Sequence, residues 1–76
     1  MLLTQEQIKE LEQLLDDPWP AIGASMSSGN PNFLLKAIND QMDHDGNDDN
    51  YDLNEKGEAL LALYQTIYRA NFPDEI

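Results

Sequence analysis

Apolar residues recur at intervals of three and four along three stretches of the chain. That spacing puts them on one face of an α-helix, which turns once in about 3.6 residues. No run alternates polar and apolar residues as a strand would, and Val, a residue enriched in strands, is absent. The pattern therefore predicts an all-α fold with three long helices, over about 4–17, 31–43 and 53–70.

Each predicted helix begins with a capping signal. Thr4 is a favourable N-cap, and Gln7 follows it at the spacing of a capping box. Asn30, which precedes a proline, marks the second start. Asp52, with Glu55 three residues later, marks the third, so we expect Asp52 to open the last helix.

The stretch between the first two long helices is ambiguous. Trp19, Ile22 and Met26 would share one face of a short helix near 19–27, whereas the prolines and glycines around them argue against a helix. The predicted architecture is a small bundle of the three long helices, with this short helix as an alternative, in one acidic domain over 1–76. Its predicted core is Ile8, Leu11, Leu15, Trp19, Ile22, Leu34, Leu35, Ile38, Met42, Leu60, Leu61, Tyr64, Ile67 and Tyr68.

Composition excludes several classes of function. Fifteen acidic and four basic residues give a net charge of −11. We therefore expect no direct binding to nucleic acid or to anionic membranes, since both need a basic surface. The absence of Cys excludes disulfides and thiol catalysis, and a single His excludes a multi-His metal site. No catalytic motif is present, so we predict a protein that is not an enzyme and uses no cofactor.

The chain also carries no targeting signal that we recognise. Residues 1–6 contain no base, and the longest apolar run, 59–63, is far shorter than the roughly 20 residues that a membrane helix needs. We therefore expect a cytoplasmic protein.

The acids are concentrated in one part of the sequence. Residues 40–58 hold eight acids and one base, Lys56, and include an acidic loop at 43–52, whereas 18–39 hold no acid. Like charges a helical turn apart repel each other, and solubility alone needs a net charge of only about 2 to 8. We infer that the acidic segment is a binding face.

The predicted function is that of a non-enzymatic inhibitor or adaptor whose carboxylates engage a basic protein surface. Nucleic-acid-binding clefts are the most basic surfaces of this kind, because they neutralise phosphates. In size and charge the chain resembles, in outline, the nucleic-acid mimics that bacteriophages make against restriction, CRISPR or repair enzymes. The residues expected to contact the partner are Asp40, Asp43, Asp45, Asp48, Asp49, Asp52, Glu55, Glu58 and Tyr51, with Glu6, Glu10 and Glu12 as a second bank.

A calcium-binding helical module is one alternative. The loop at 43–55 links two predicted helices and offers Asp45, Asn47 and Asp49 as weak metal ligands. The EF-hand pattern needs Gly at its sixth position and Glu at its twelfth. The loop does not match this pattern whether it is aligned from Asp43 or from Asp45.

A structural role is the other alternative. The segment 18–39 would serve as the contact surface of a homodimer, or of a subunit in a larger assembly. Sequence alone leaves open whether the protein is a monomer or a homodimer, and whether Trp19 and Phe72 lie in the core or at an interface.

Overall fold

The computed structural model of the protein describes residues 3–47, 49–50 and 52–72. Within these ranges the extended backbone pairs only at an isolated bridge between Asn47 and Leu53, and no helix is long and apolar enough to cross a membrane. The predicted all-α class is confirmed. The helices are α1 (Gln5–Leu14), α2 (Trp19–Ser28), α3 (Asn32–Asp45) and α4 (Glu55–Asn71).

The ambiguous segment forms a helix, α2, that is as long as α1. Pro18 and Pro20 stand at its start, where backbone N–H groups lack intrahelical partners and a proline therefore removes no bond. Gly29 ends it with φ 70°, a left-handed conformation that glycine adopts without strain. The described chain thus has four helices, two of them ten residues long, in place of three long helices and a short one.

The first helix is shorter than the predicted 4–17. It ends before Leu15, whose backbone is extended with φ −96° and ψ 140°. Pro18 disfavours helical backbone just before it, and the Asp16 N–H donates instead to Oε1 of Gln41 at 3.3 Å. The beginning of α1 is as predicted, because the Thr4 and Gln7 side chains form a reciprocal capping box.

The last helix begins later than the predicted 53–70. Its N-cap is Asn54, not Asp52, because Oδ1 of Asn54 accepts a hydrogen bond from the Gly57 N–H at 2.8 Å. The Nδ2 group of Asn54 donates to the Asp45 carbonyl oxygen at 2.9 Å, so this residue also ties the start of α4 to the end of α3.

The third helix runs two residues beyond the predicted 31–43. Its last turn is held by the Asp45 carboxylate, which accepts hydrogen bonds from Gln41, one turn earlier, and from Lys56 of α4. Side-chain contacts that the helical spacing does not show therefore extend α3.

The core forms around α3, which packs against both α2 and α4. Leu34, Leu35 and Ile38 of α3 are buried there, and burying a large apolar side chain contributes about 1.5–3 kcal/mol. Ile8, Met42, Tyr64, Tyr68 and further partly buried residues pack around the cluster. The buried apolar residues are Leu11, Leu15, Ile22, Leu34, Leu35, Ile38, Leu60, Leu63 and Ile67.

Two core predictions are wrong. Trp19 is 55% exposed, because it stands in the first turn of α2 on the same side as Gly23, where a Cβ atom would meet no atom within 4 Å. Leu61 is half-buried and Leu63 is buried in its place. The buried stripe of α4 runs through 60, 63 and 67, and position 61 lies about 100° round the helix from position 60. Phe72 is half-buried, and its ring centroid lies 5.0 Å from that of Tyr68.

A buried serine caps α3 from the neighbouring helix. Pro31, the residue at the N-cap position, makes no side-chain capping bond. The Leu34 N–H, in the first turn of α3, donates instead to Oγ of the fully buried Ser25 at 3.0 Å. Because an unpartnered buried N–H is costly, this bond fixes α2 against the start of α3.

Two glycines lie in close contact where α3 ends and α4 begins. Gly46 and Gly57 are both buried, and the Asn54 N–H donates to the Gly46 carbonyl oxygen at 3.0 Å. A Cβ atom on Gly57 would overlap the Gly46 carbonyl oxygen. Only glycine at 57 therefore permits the two helices to approach this closely.

We expect Gly57→Ala to destabilise the protein and Gly23→Ala to stabilise it. The first substitution forces the backbone at Gly46 away from that at position 57, which lowers the free energy of unfolding by about 1–3 kcal/mol or more. The second places a methyl group where no atom lies within 4 Å, and it should gain about 0.5–1 kcal/mol from helix propensity. Chemical denaturation measures the free energy of unfolding of both variants. Equal changes in the two variants would contradict the close contact between Gly46 and Gly57.

Candidate functional site

The described acids of residues 40–58 lie around the connection between α3 and α4. Hydrogen bonds from Asn54 to Gly46 and from Lys56 to Asp45 hold the last turn of α3 beside the first turn of α4. We call the surface formed by Asp40, Asp43 and Asp45 of α3, Asp49 and Asp52 of the connection, and Glu55 and Glu58 of α4 the acidic end.

Most of the predicted contact residues of 40–58 are exposed on the acidic end. Except for the half-buried Asp45, the acids of the acidic end are exposed. Glu55 and Glu58 lie in the first turn of α4, where the helix dipole stabilises negative charge. Asp48 and Tyr51 lie outside the described residues.

One carboxylate of the acidic end is tightly bound. Oδ2 of Asp45 accepts from Nζ of Lys56 at 2.6 Å, and its Oδ1 accepts from Nε2 of Gln41 at 3.0 Å. The Lys56 hydrogen bond, followed by that from Gln41, lowers the pKa of Asp45 below its usual value. This residue therefore serves to close the connection rather than to meet a partner.

A second ion pair at this end is loose. Nζ of Lys36 lies 3.5 Å from Oδ2 of Asp40, one helical turn away, and both side chains are mostly exposed. Exposed pairs of this kind contribute about 0–1 kcal/mol. The pair therefore neutralises little of the negative field at the acidic end.

Sequence reasoning missed Asp16. Nε2 of Gln41 donates to Oδ2 of Asp16 at 3.2 Å as well as to Asp45. This single amide group thus brings a carboxylate from the end of α1 to the acidic end. No local pattern signals the contact, because 25 positions separate Asp16 from Gln41.

The second bank of acids is divided. Glu6 and Glu10 line a groove of about 590 Å³ between α1 and α4. Glu12 is exposed and is not among the residues that line the groove. The three carboxylates therefore do not share one face, because the helical turn carries position 12 away from positions 6 and 10.

The residues of the calcium alternative are engaged in other contacts. Asp45 is held by Lys56, and Nδ2 of Asn47 donates to the Met42 carbonyl oxygen at 3.2 Å. Asp49 is exposed. Across the described ranges, no three His, Asp or Glu side chains are grouped so as to hold a metal ion.

No protein-family model, curated protein or solved structure matches this chain. The acidic end offers carboxylate acceptors from two helices and the segment between them, which suits the binding of cationic groups.

We expect Asp45→Asn to weaken the fold near neutral pH and to lose this effect in acid. The folded-state pKa of Asp45 lies below its unfolded value, so its contribution is present above the usual aspartate pKa of about 3.9 and is lost as pH falls through the folded value. The free energies of unfolding of wild type and variant should begin to converge as pH falls below about 4 and should coincide once the pH is below the folded pKa. Asp43→Asn, at an exposed neighbour, is the control, and a constant difference down to pH 2 would contradict the assignment.

Proposed function

We propose that this protein is a non-enzymatic inhibitor or adaptor that binds a basic surface of another protein through its acidic end. The observation that carries the proposal is the convergence of seven described acids on one end of the molecule, around the α3–α4 connection. A nucleic-acid-binding protein is the expected partner, because its cleft must hold cations in large number.

The spacing of the carboxylates supports mimicry of a phosphate backbone. Asp40 and Asp43 lie three residues apart on α3, as do Glu55 and Glu58 on α4. Side chains at this spacing are about 5–6 Å apart, which is the same order as the roughly 3.4 Å of helix axis per phosphate on one DNA strand. Two such pairs on adjacent helices concentrate negative charge around the α3–α4 connection, and this charge would speed the approach of a basic partner.

The acids at the end of α3 also oppose local stability. Asp43 and Asp45 lie in the last turn of the helix, where the dipole favours cations. Only Asp45 is compensated by the strong bond from Lys56. A solubilising acid would serve equally well elsewhere, so this placement favours a role in binding. An acidic end seated in a nucleic-acid cleft would exclude the nucleic acid, which is the mode of action that we propose.

We expect reversal of two acids at the acidic end, Asp43→Lys with Glu58→Lys, to weaken partner binding at least about tenfold. The control, Glu12→Lys with Asp17→Lys, changes the net charge equally at other exposed positions and should weaken it much less. Partners are captured from a cell lysate on the immobilised protein, and the dominant one is purified for titration. Wild-type binding should also fall steeply with salt, because salt screens charges beyond about 10 Å at 0.1 M.

Equal losses in the two double variants would show that net charge alone acts. A complex that is unaffected by salt would contradict the proposal outright. Melting temperatures of both variants check that each remains folded.

A homodimer or subunit contact through 18–39 is a second candidate, favoured by three exposed apolar side chains. Trp19 is 55% exposed, Met26 52% and Phe33 50%, although such residues are usually at least half buried. Lys36 is the one charged residue of this segment. Two copies could therefore meet here without opposing their acids.

We expect sedimentation to detect a dimer of the wild-type protein at concentrations where Trp19→Gln with Met26→Gln is monomeric. Both side chains are already exposed, so the exchange should change the melting temperature little. A wild-type protein that is monomeric at every concentration would contradict this second candidate.

A further inference from the structure

The groove between α1 and α4 has two unlike walls. Glu6, Gln7, Glu10 and Gln13 of α1 make one wall polar and acidic. Small side chains of α4 make the opposite wall, and Leu14 and Leu63 complete the lining. No Lys or Arg lines the groove, so the two carboxylates meet no cation within it.

The shape of the groove suits a helix. Its α1 wall extends from Thr4 to Leu14 and its α4 wall from Ala59 to Thr66, which allows about two to three helical turns. Ala59 and Ala62 are exposed and lie three residues apart. Small side chains at such positions let another helix pack closely, with about 8–10 Å between the two helix axes.

The charges of the groove specify the face that this helix presents. Glu6 and Glu10 lie four residues apart, so a partner helix would meet them with two bases separated by three or four residues. The apolar part of the lining would take an aliphatic or aromatic side chain from the same face. The occupant is therefore an amphipathic helix with a basic edge.

A second copy of this chain does not supply such a helix. Its four bases are Lys9, Lys36, Lys56 and Arg69, and no two of them are within one helical turn of each other. The occupant must come from a different, basic protein.

We propose that the α1–α4 groove binds a cationic amphipathic helix of the partner. The inference rests on the proposed function in one respect, that the partner is basic, and it adds the structural element that the partner contributes. It also assigns separate roles to two surfaces, since the acidic end meets the broad basic face and the groove meets one helix.

A synthetic fourteen-residue peptide tests the groove directly. The peptide carries Lys pairs four residues apart beside a row of Leu, and a scrambled peptide of the same composition is its control. Fluorescence anisotropy measures the affinity of each peptide for the full-length protein. We expect the ordered peptide to bind at least about fivefold more tightly than the scrambled one.

Three variants locate the binding. Glu6→Gln with Glu10→Gln should weaken the ordered peptide about fivefold or more, and Ala62→Phe should weaken it by filling the groove. Glu12→Gln with Asp17→Asn removes equal charge outside the groove and should change the affinity less than about twofold. Far-ultraviolet circular dichroism checks the folding of each variant.

The outcomes separate this inference from the proposed function. Equal weakening by the two charge variants, an unchanged affinity of Ala62→Phe, or equal binding of both peptides would overturn the groove assignment. If the groove variants bind the captured partner normally while Asp43→Lys with Glu58→Lys does not, the groove assignment fails and the proposed function stands. If neither set of variants weakens that partner, both fail.

Discussion

The structure depends on the contact of Gly46 with Gly57, which lets the end of α3 and the start of α4 meet backbone to backbone. Around this contact, Asn54 caps α4 and bonds to α3, while Lys56 binds Asp45. These bonds close a connection that is rich in like charges and would otherwise repel itself. The acidic end is a consequence of that closure, because it brings together acids from two helices and the segment between them.

Charge and apolar exposure are segregated on this molecule. The acids collect at the α3–α4 end and along α1, whereas α2 carries no charged residue and exposes Trp19 and Met26. A small domain has little stability to spare for clustered like charges. This distribution agrees with the proposal that the acidic end and the uncharged surface of α2 are binding surfaces.

Sequence patterns predicted the helical class and the three strongest helices, because apolar spacing and caps such as Thr4 act locally. They misjudged where helices end when a tertiary bond decides, as at Asp45, which Lys56 holds in α3. The grouping of the acids followed from chain order alone. Chain order does not predict three other features, because each depends on how the helices pack. These are the contact of Asp16 with Gln41, the exposure of Trp19 and the α1–α4 groove.

The charge distribution is tested most directly by a residue-by-residue NMR measurement of surface potential, with a cationic and an anionic nitroxide of equal size as soluble relaxation probes. We expect amide protons at exposed positions of 40–58 to show the greatest preference for the cationic probe, and those of α2 to show the least. A preference spread evenly over the chain, or greatest on α2, would contradict the claim that the α3–α4 connection gathers the acids into one surface.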